Sequence, residues 1–153
     1  MSALDRMDRH ILQLLQKEGR LSNVDLANAV GLSESACLRR VRNLENSGVI
    51  DRYVAIVNQS SVELSGNVFV RVSLESQQEE MLSKFETAVK DVPEVMECYL
   101  MSGDVDFLIR VVVQDATDYE RVHNILTRLP NVARVHSSFA LRTVLKRTKL
   151  PLR

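Results

Sequence analysis

Residues 22–48 read SNVDLANAVGLSESACLRRVRNLENSG, and the placing of serine and glycine divides this stretch into two helices. Ser22 opens the first, because a serine oxygen accepts from backbone N–H groups that a first turn leaves free. Asp25, three positions on, puts an acid at the positive end of the helix dipole. Val24, Leu26, Ala27 and Val30 supply the buried side, and Gly31 ends it. Ser33 opens the second helix, where Cys37, Val41 and Leu44 repeat at helical spacing until Gly48 closes it. Only about three residues join the two.

Working outward, Leu4, Met7, Ile11, Leu14 and Leu15 form one apolar stripe, with Asp8, Arg9, Gln13, Gln16 and Lys17 between them and Gly19 as a stop. Residues 1–52 therefore read as three short helices. On the third, at about 100° per residue, Ser35, Arg39 and Arg42 fall opposite the Cys37–Val41–Leu44 stripe. A pair of helices with a short turn and a basic outer side on the second is the helix-turn-helix arrangement for DNA. Arg39 and Arg42 suit bidentate contacts with guanine edges, or phosphates. Ser33 and Ser35 are short enough for base or phosphate contact, and Arg40, on the flank, is assigned to phosphate. An arginine run alone reads first as a solvated helix face; the preceding helix, the caps and the turn reverse that reading in favour of DNA.

Downstream the texture changes. Residues 53–64 carry Glu63 as their one charge and include the loop-like Asn58-Gln59-Ser60-Ser61, so they read as a linker strand or hinge. Val68, Val70, Val72 and Leu74 alternate as a strand, and Leu82, Phe85, Val89 and Val92 return to helical spacing until Pro93. Strands from Val95 to Met101 and from Asp106 to Val113 follow, joined by a tight turn at Ser102-Gly103-Asp104. Tyr119, Val122, Leu126 and Leu129 mark a second helix, and Val132 to Leu145 a last long strand. This order is the ferredoxin-like βαββαβ unit. The expected fold is α+β: an N-terminal, winged helix-turn-helix domain over 1–52 and a ferredoxin-like domain over 65–153. Both helices of such a unit cover one sheet face. The strand around Leu108 and Val112 is apolar on both sides, so at least a homodimer is expected to cover the other.

Composition narrows the classes. The 153 residues are 45% hydrophobic and 26% charged, ordinary globular usage. The longest apolar run, Tyr53 to Val57, is far short of the roughly 20 residues of a membrane span. The N-terminus has no export signal, and a cytoplasmic, nucleoid-associated location is expected. Cys37 and Cys98 form no disulfide framework and are read as buried thiols; His10, His123 and His136 stand apart, so neither metal nor cofactor is expected. The 20 Lys+Arg exactly offset by 20 Asp+Glu would count against DNA if evenly spread. They are not: Glu34 and Glu45 are the only acids between Asp25 and Asp51, and residues 142–153 hold Arg142, Lys146, Arg147, Lys149 and Arg153 with no acid. That tail reads as a DNA contact or as a solvated end.

Several stretches together resemble the Lrp/AsnC family of bacterial and archaeal transcriptional regulators. They are residues 4–12, 19–23 and 30–33, Cys37-Leu38-Arg39-Arg40-Val41, residues 44–50, and Ser102-Gly103-Asp104-Val105-Asp106-Phe107-Leu108. The resemblance implies a reading domain, a linker strand, and a C-terminal domain that dimerises, assembles to tetramers or octamers, and senses an amino acid. It implies an effector site between protomers beside the turn, formed here by Met101, Ser102, Gly103, Asp104 and Asp106, with Ser137 and Ser138 lining the same cleft. Asp104 or Asp106 suits an α-ammonium group and backbone N–H groups a carboxylate. The chain departs from the family at Phe107, commonly tyrosine, and at Glu34-Ser35-Ala36, where many members have proline. Two other readings are an enzyme using Asp104 and Asp106, opposed by the lack of any catalytic motif, and an architectural DNA-binding protein without a ligand.

Overall fold

The computed structural model describes residues 4–152. Residues up to Ile56, together with those from Val144 onward, form one compact unit; Val57–Thr143 form the other.

The first unit holds α1 (Arg6–Leu15), α2 (Asn23–Val30) and α3 (Glu34–Asn46). Each begins at a side-chain cap. Asp5 accepts from the Asp8 N–H while Asp8 accepts from the Asp5 N–H, a reciprocal pair that satisfies two free donors. Ser22 and Ser33 accept from the Asp25 and Ala36 N–H groups. Gly31 turns the chain between α2 and α3 at φ 70°, a left-handed conformation that costs glycine little. Ile11, Leu12, Leu26, Ala27, Val30, Cys37 and Leu44 make the core, with Val41 partly buried against it. At ~1.5–3 kcal/mol for each large apolar side chain taken from water, this small core is what holds the three helices together. α1 stops at Leu15, short of Gly19.

The second unit holds β1 (Gly66–Leu74), α4 (Glu79–Val89), β2 (Val95–Leu100), β3 (Phe107–Val113), α5 (Ala116–Leu126) and β4 (Val132–Phe139). The sheet is antiparallel in the order β2-β3-β1-β4, the ferredoxin-like topology. Alternation decides which face is buried: Val68, Val70, Val72, Ile109, Val111 and Val113 pack with Phe85, Val89, Tyr119, Val122 and Leu126. The Phe85 and Phe107 rings lie 4.5 Å apart.

Four details differ from expectation. Residues 53–57 join no ladder and so form no linker strand; beyond them Asn58 caps Ser60 and Ser61, folding Gln59–Val62 into a short 3-10 turn. The last strand stops at Phe139, paired with Val68, because β1 begins only two residues earlier, at Gly66. The link between β2 and β3 spans residues 101–106 rather than a tight turn, closed by the Met101 N–H on the Asp106 carbonyl at 2.8 Å. Finally, the tail from Val144 belongs with the helices rather than with the 65–153 domain. The Leu150 N–H donates to Gln16 Oε1 at 2.6 Å, and Leu152 packs on the helical core. Met1 to Ala3 and the basic Arg153 lie outside the described residues.

Candidate functional site

On α3 the apolar stripe turns Ser35, Arg39 and Arg42 outward, and all three are exposed, with Leu38 and Asn43 beside them. Among the described residues no carboxylate pairs with Arg39 or Arg42. Ser33 is exposed too, but its oxygen is engaged as the cap of α3 and lies 3.3 Å from Ser35 Oγ.

Arg40 departs from its assignment. Its guanidinium binds Asp5 and Asp8, each at 2.7 Å, and ties α3 to the start of α1. The Asp8 N–H, and then Arg40, hold the Asp5 carboxyl below the usual carboxylate range. An arginine already answered by two carboxylates is a brace within the unit, not a free hand for phosphate. A second brace is Tyr53, whose hydroxyl donates to Glu45 Oε1 at 3.1 Å; partial burial and then Glu45 push its hydroxyl up to about 12.

In the second unit, Met101, Ser102, Gly103 and Asp104 are exposed on the link between β2 and β3. Gly103 sits at φ 131°, a conformation that side chains avoid. Asp106 does not share this exposure. It is 9% exposed, and its carboxylate accepts from the Leu74 N–H and from Gln77 Nε2, both at 2.7 Å. It pins the link to the end of β1, and its burial sets it apart from the exposed Asp104.

Ser137 and Ser138 do not share a cleft. Neighbours along a strand point to opposite faces. Ser137 pairs with Val70 on the helix-covered face and hydrogen-bonds the Tyr119 hydroxyl; Ser138 pairs with Phe69 on the open face.

That open face carries Glu97, Arg110, Phe69 and Ser138 in one cross-strand row, and Tyr99, Leu108, Arg71 and His136 in the next. Beside the link, Arg71, Ser73, Asp104, Val105, Arg134 and His136 line a cavity of about 170 Å³. Of these only Asp104 was among the expected residues. The alternation of β1 already set Arg71 and Ser73 opposite Val70 and Val72; the register that adds Arg134 and His136 had no signal in sequence. Among the described residues no cluster of His, Cys, Asp and Glu is arranged to hold a metal ion, and no helix is long and apolar enough to cross a membrane.

A small core carrying the arginine-faced α3, followed by a four-stranded sheet with two helices on one side, defines a two-part DNA-binding regulator. Comparison with known proteins agrees with both halves. Residues 4–51 match the family described as winged helix-turn-helix DNA-binding, and residues 67–150 that described as Lrp/AsnC ligand binding domain. The chain is 45% identical to the Bkd operon transcriptional regulator of Pseudomonas aeruginosa, over 99% of this chain and 100% of that one. An AsnC family transcriptional regulator from Agrobacterium tumefaciens superposes with a TM-score of 0.93 at 40% identity, and an L-Met complex of a transcriptional regulator from Neisseria meningitidis with 0.92 at 36%. Each alignment covers 97% of both chains. The chain belongs to the Lrp/AsnC family of DNA-binding transcriptional regulators, and is not an enzyme.

Proposed function

We propose that the protein regulates transcription through an amino-acid effector that binds the second unit beside residues 101–104 and alters assembly or DNA affinity. Exposed Arg39 and Arg42, with Ser35, read the major groove, and copies of α3 in a dimer or larger assembly meet half-sites about one helical turn, or a multiple, apart. The observation that carries the DNA half is the pair of unanswered arginines on α3. What supports the effector half is the cavity beside Gly103 and Asp104, together with the L-Met complex of the Neisseria relative. Assembly is read from the open sheet face, where Phe69 is 41% and Tyr99 52% exposed among Arg71, Arg110 and His136, apolar surface that a second copy would take from water.

Effector and operator act on each other by linkage: a ligand that favours the DNA-competent assembly tightens DNA, and DNA tightens the ligand equally. The deciding experiment is a thermal-shift screen of the full chain against the twenty amino acids, followed by operator titration with each hit. A hit raises the melting temperature by binding the native state alone. No hit, with DNA binding intact, would leave an architectural DNA-binding protein as the better reading.

A further inference from the structure

The three arginines on the open sheet face are treated differently by the fold. Arg110 is answered: its Nε donates to Glu97 Oε1 at 2.8 Å and another guanidinium nitrogen to Asn67 Oδ1 at 3.0 Å. Arg71 and Arg134 have no carboxylate partner among the described residues. Both line the cavity beside the 101–106 link, from adjacent strands. Arg71 stands directly across from His136 and Ser73 directly across from Arg134, so the two guanidiniums start from diagonal positions roughly 7–8 Å apart at the backbone. Asp104 is the single acid in the lining.

Two fixed positive charges therefore face one carboxylate around a space of about 170 Å³, several times the ~30 Å³ that a water occupies in the liquid. A neutral amino acid leaves this account open: its ammonium group meets Asp104 and its carboxylate meets one guanidinium, with the second unmatched. An amino acid bearing a side-chain carboxylate closes it. The need sharpens when the face is covered by a second copy, because a guanidinium taken from water without a counter-charge is costly.

We infer that this cavity takes an acidic amino acid, with its two carboxylates on Arg71 and Arg134, its ammonium group on Asp104, and the Ser73 hydroxyl as a further donor. This rests on the reading of the second unit as an amino-acid binder and specifies the chemical class of its ligand. Guanidinium suits the task because its planar fork meets a carboxylate with two parallel hydrogen bonds.

The test is calorimetric titration of the full chain with L-glutamate, L-aspartate, L-leucine and L-methionine, on the unaltered protein and on Arg71→Gln, Arg134→Gln and Arg71→Lys. Both arginines are exposed on the sheet surface, so the Gln variants keep their fold, as circular dichroism and melting temperature will show. The expected result is at least tenfold tighter binding of an acidic amino acid than of leucine or methionine. Each Gln variant should lose about tenfold or more for the acidic ligand, since it removes a charge-assisted pair with one carboxylate, and Arg71→Lys should recover part of that. Tighter binding of leucine or methionine, unchanged in the Gln variants, would overturn the assignment of an acidic ligand while leaving the effector reading intact. Absence of binding by all four, and by the remaining amino acids in the thermal screen, would overturn both.

Discussion

Arg40 closes on Asp8 at 2.7 Å, across 32 positions of sequence, and on Asp5 at the same distance. Of three neighbouring arginines on α3, one is thus committed to holding the helix in place while Arg39 and Arg42 remain outward.

The three should separate under mutation. Arg39→Ala and Arg42→Ala are each expected to weaken operator binding by ~1–3 kcal/mol with melting unchanged. Those that grip phosphate also lower the slope of affinity against salt by about one. Arg40→Ala should instead lower the melting temperature of the helical unit. Fluorescence anisotropy over a salt series, beside thermal melts, reads both; equal loss of DNA affinity without loss of stability in Arg40→Ala would refute the brace.

Two nearby aspartates should also part company. Asp106→Ala leaves the buried Leu74 N–H without its acceptor and should cost about 2 kcal/mol in urea unfolding. Asp104→Ala, on the exposed part of the same link, is expected to leave stability within ~0.5 kcal/mol and to abolish effector binding. A destabilised Asp104→Ala would show that the link depends on it structurally.

Alkaline titration isolates Tyr53. Its hydroxyl is pushed up to about 12 from the 10.0 of a free tyrosine, chiefly through partial burial and then through Glu45. The native state therefore holds this proton longer than the unfolded chain. The stability it contributes is fully present below pH 10.0, falls as pH rises, and is lost by about 12. Denaturant midpoints measured from pH 9 upward should fall more steeply in the unaltered chain than in Tyr53→Phe, whose position does not ionise.

The open sheet face has its own test. Phe69→Glu replaces an exposed apolar side chain on the open face, between Arg110 and Ser138, with a charge and does not touch the helix-covered core. Sedimentation should show smaller assemblies than the unaltered chain, and operator affinity should drop because paired half-sites need paired copies of α3. An unchanged assembly would move the association surface elsewhere.

Much of this architecture was legible in local spacing. The repeat Cys37, Val41, Leu44 and the serines at 22 and 33 predict α2 and α3 because caps and helical stripes depend on residues within a turn of one another. The βαββαβ order follows likewise from changes of period. What could not be read were relationships that depend on register or distant partners. The engagement of Arg40 needs Asp5 and Asp8; the split of Ser137 and Ser138 follows from the two-residue period once β4 is paired. The cavity needs β4 set beside β1 so that Arg134 and His136 join Arg71 and Ser73. Asp106 resembled a ligand contact because a carboxylate after a glycine turn suits either task, and only the position of the Leu74 N–H decides.

The return of residues 144–152 to the helical unit makes the covalent path a closed circuit: it leaves the reading unit once, near Ile56, and re-enters it near Val144. Cleavage at a single point between residues 57 and 64 would therefore leave the two fragments joined through the docked tail, held by Gln16 against Leu150 and by Leu152. The second unit thus has two covalent leads into the first, one ahead of β1 and one beyond β4.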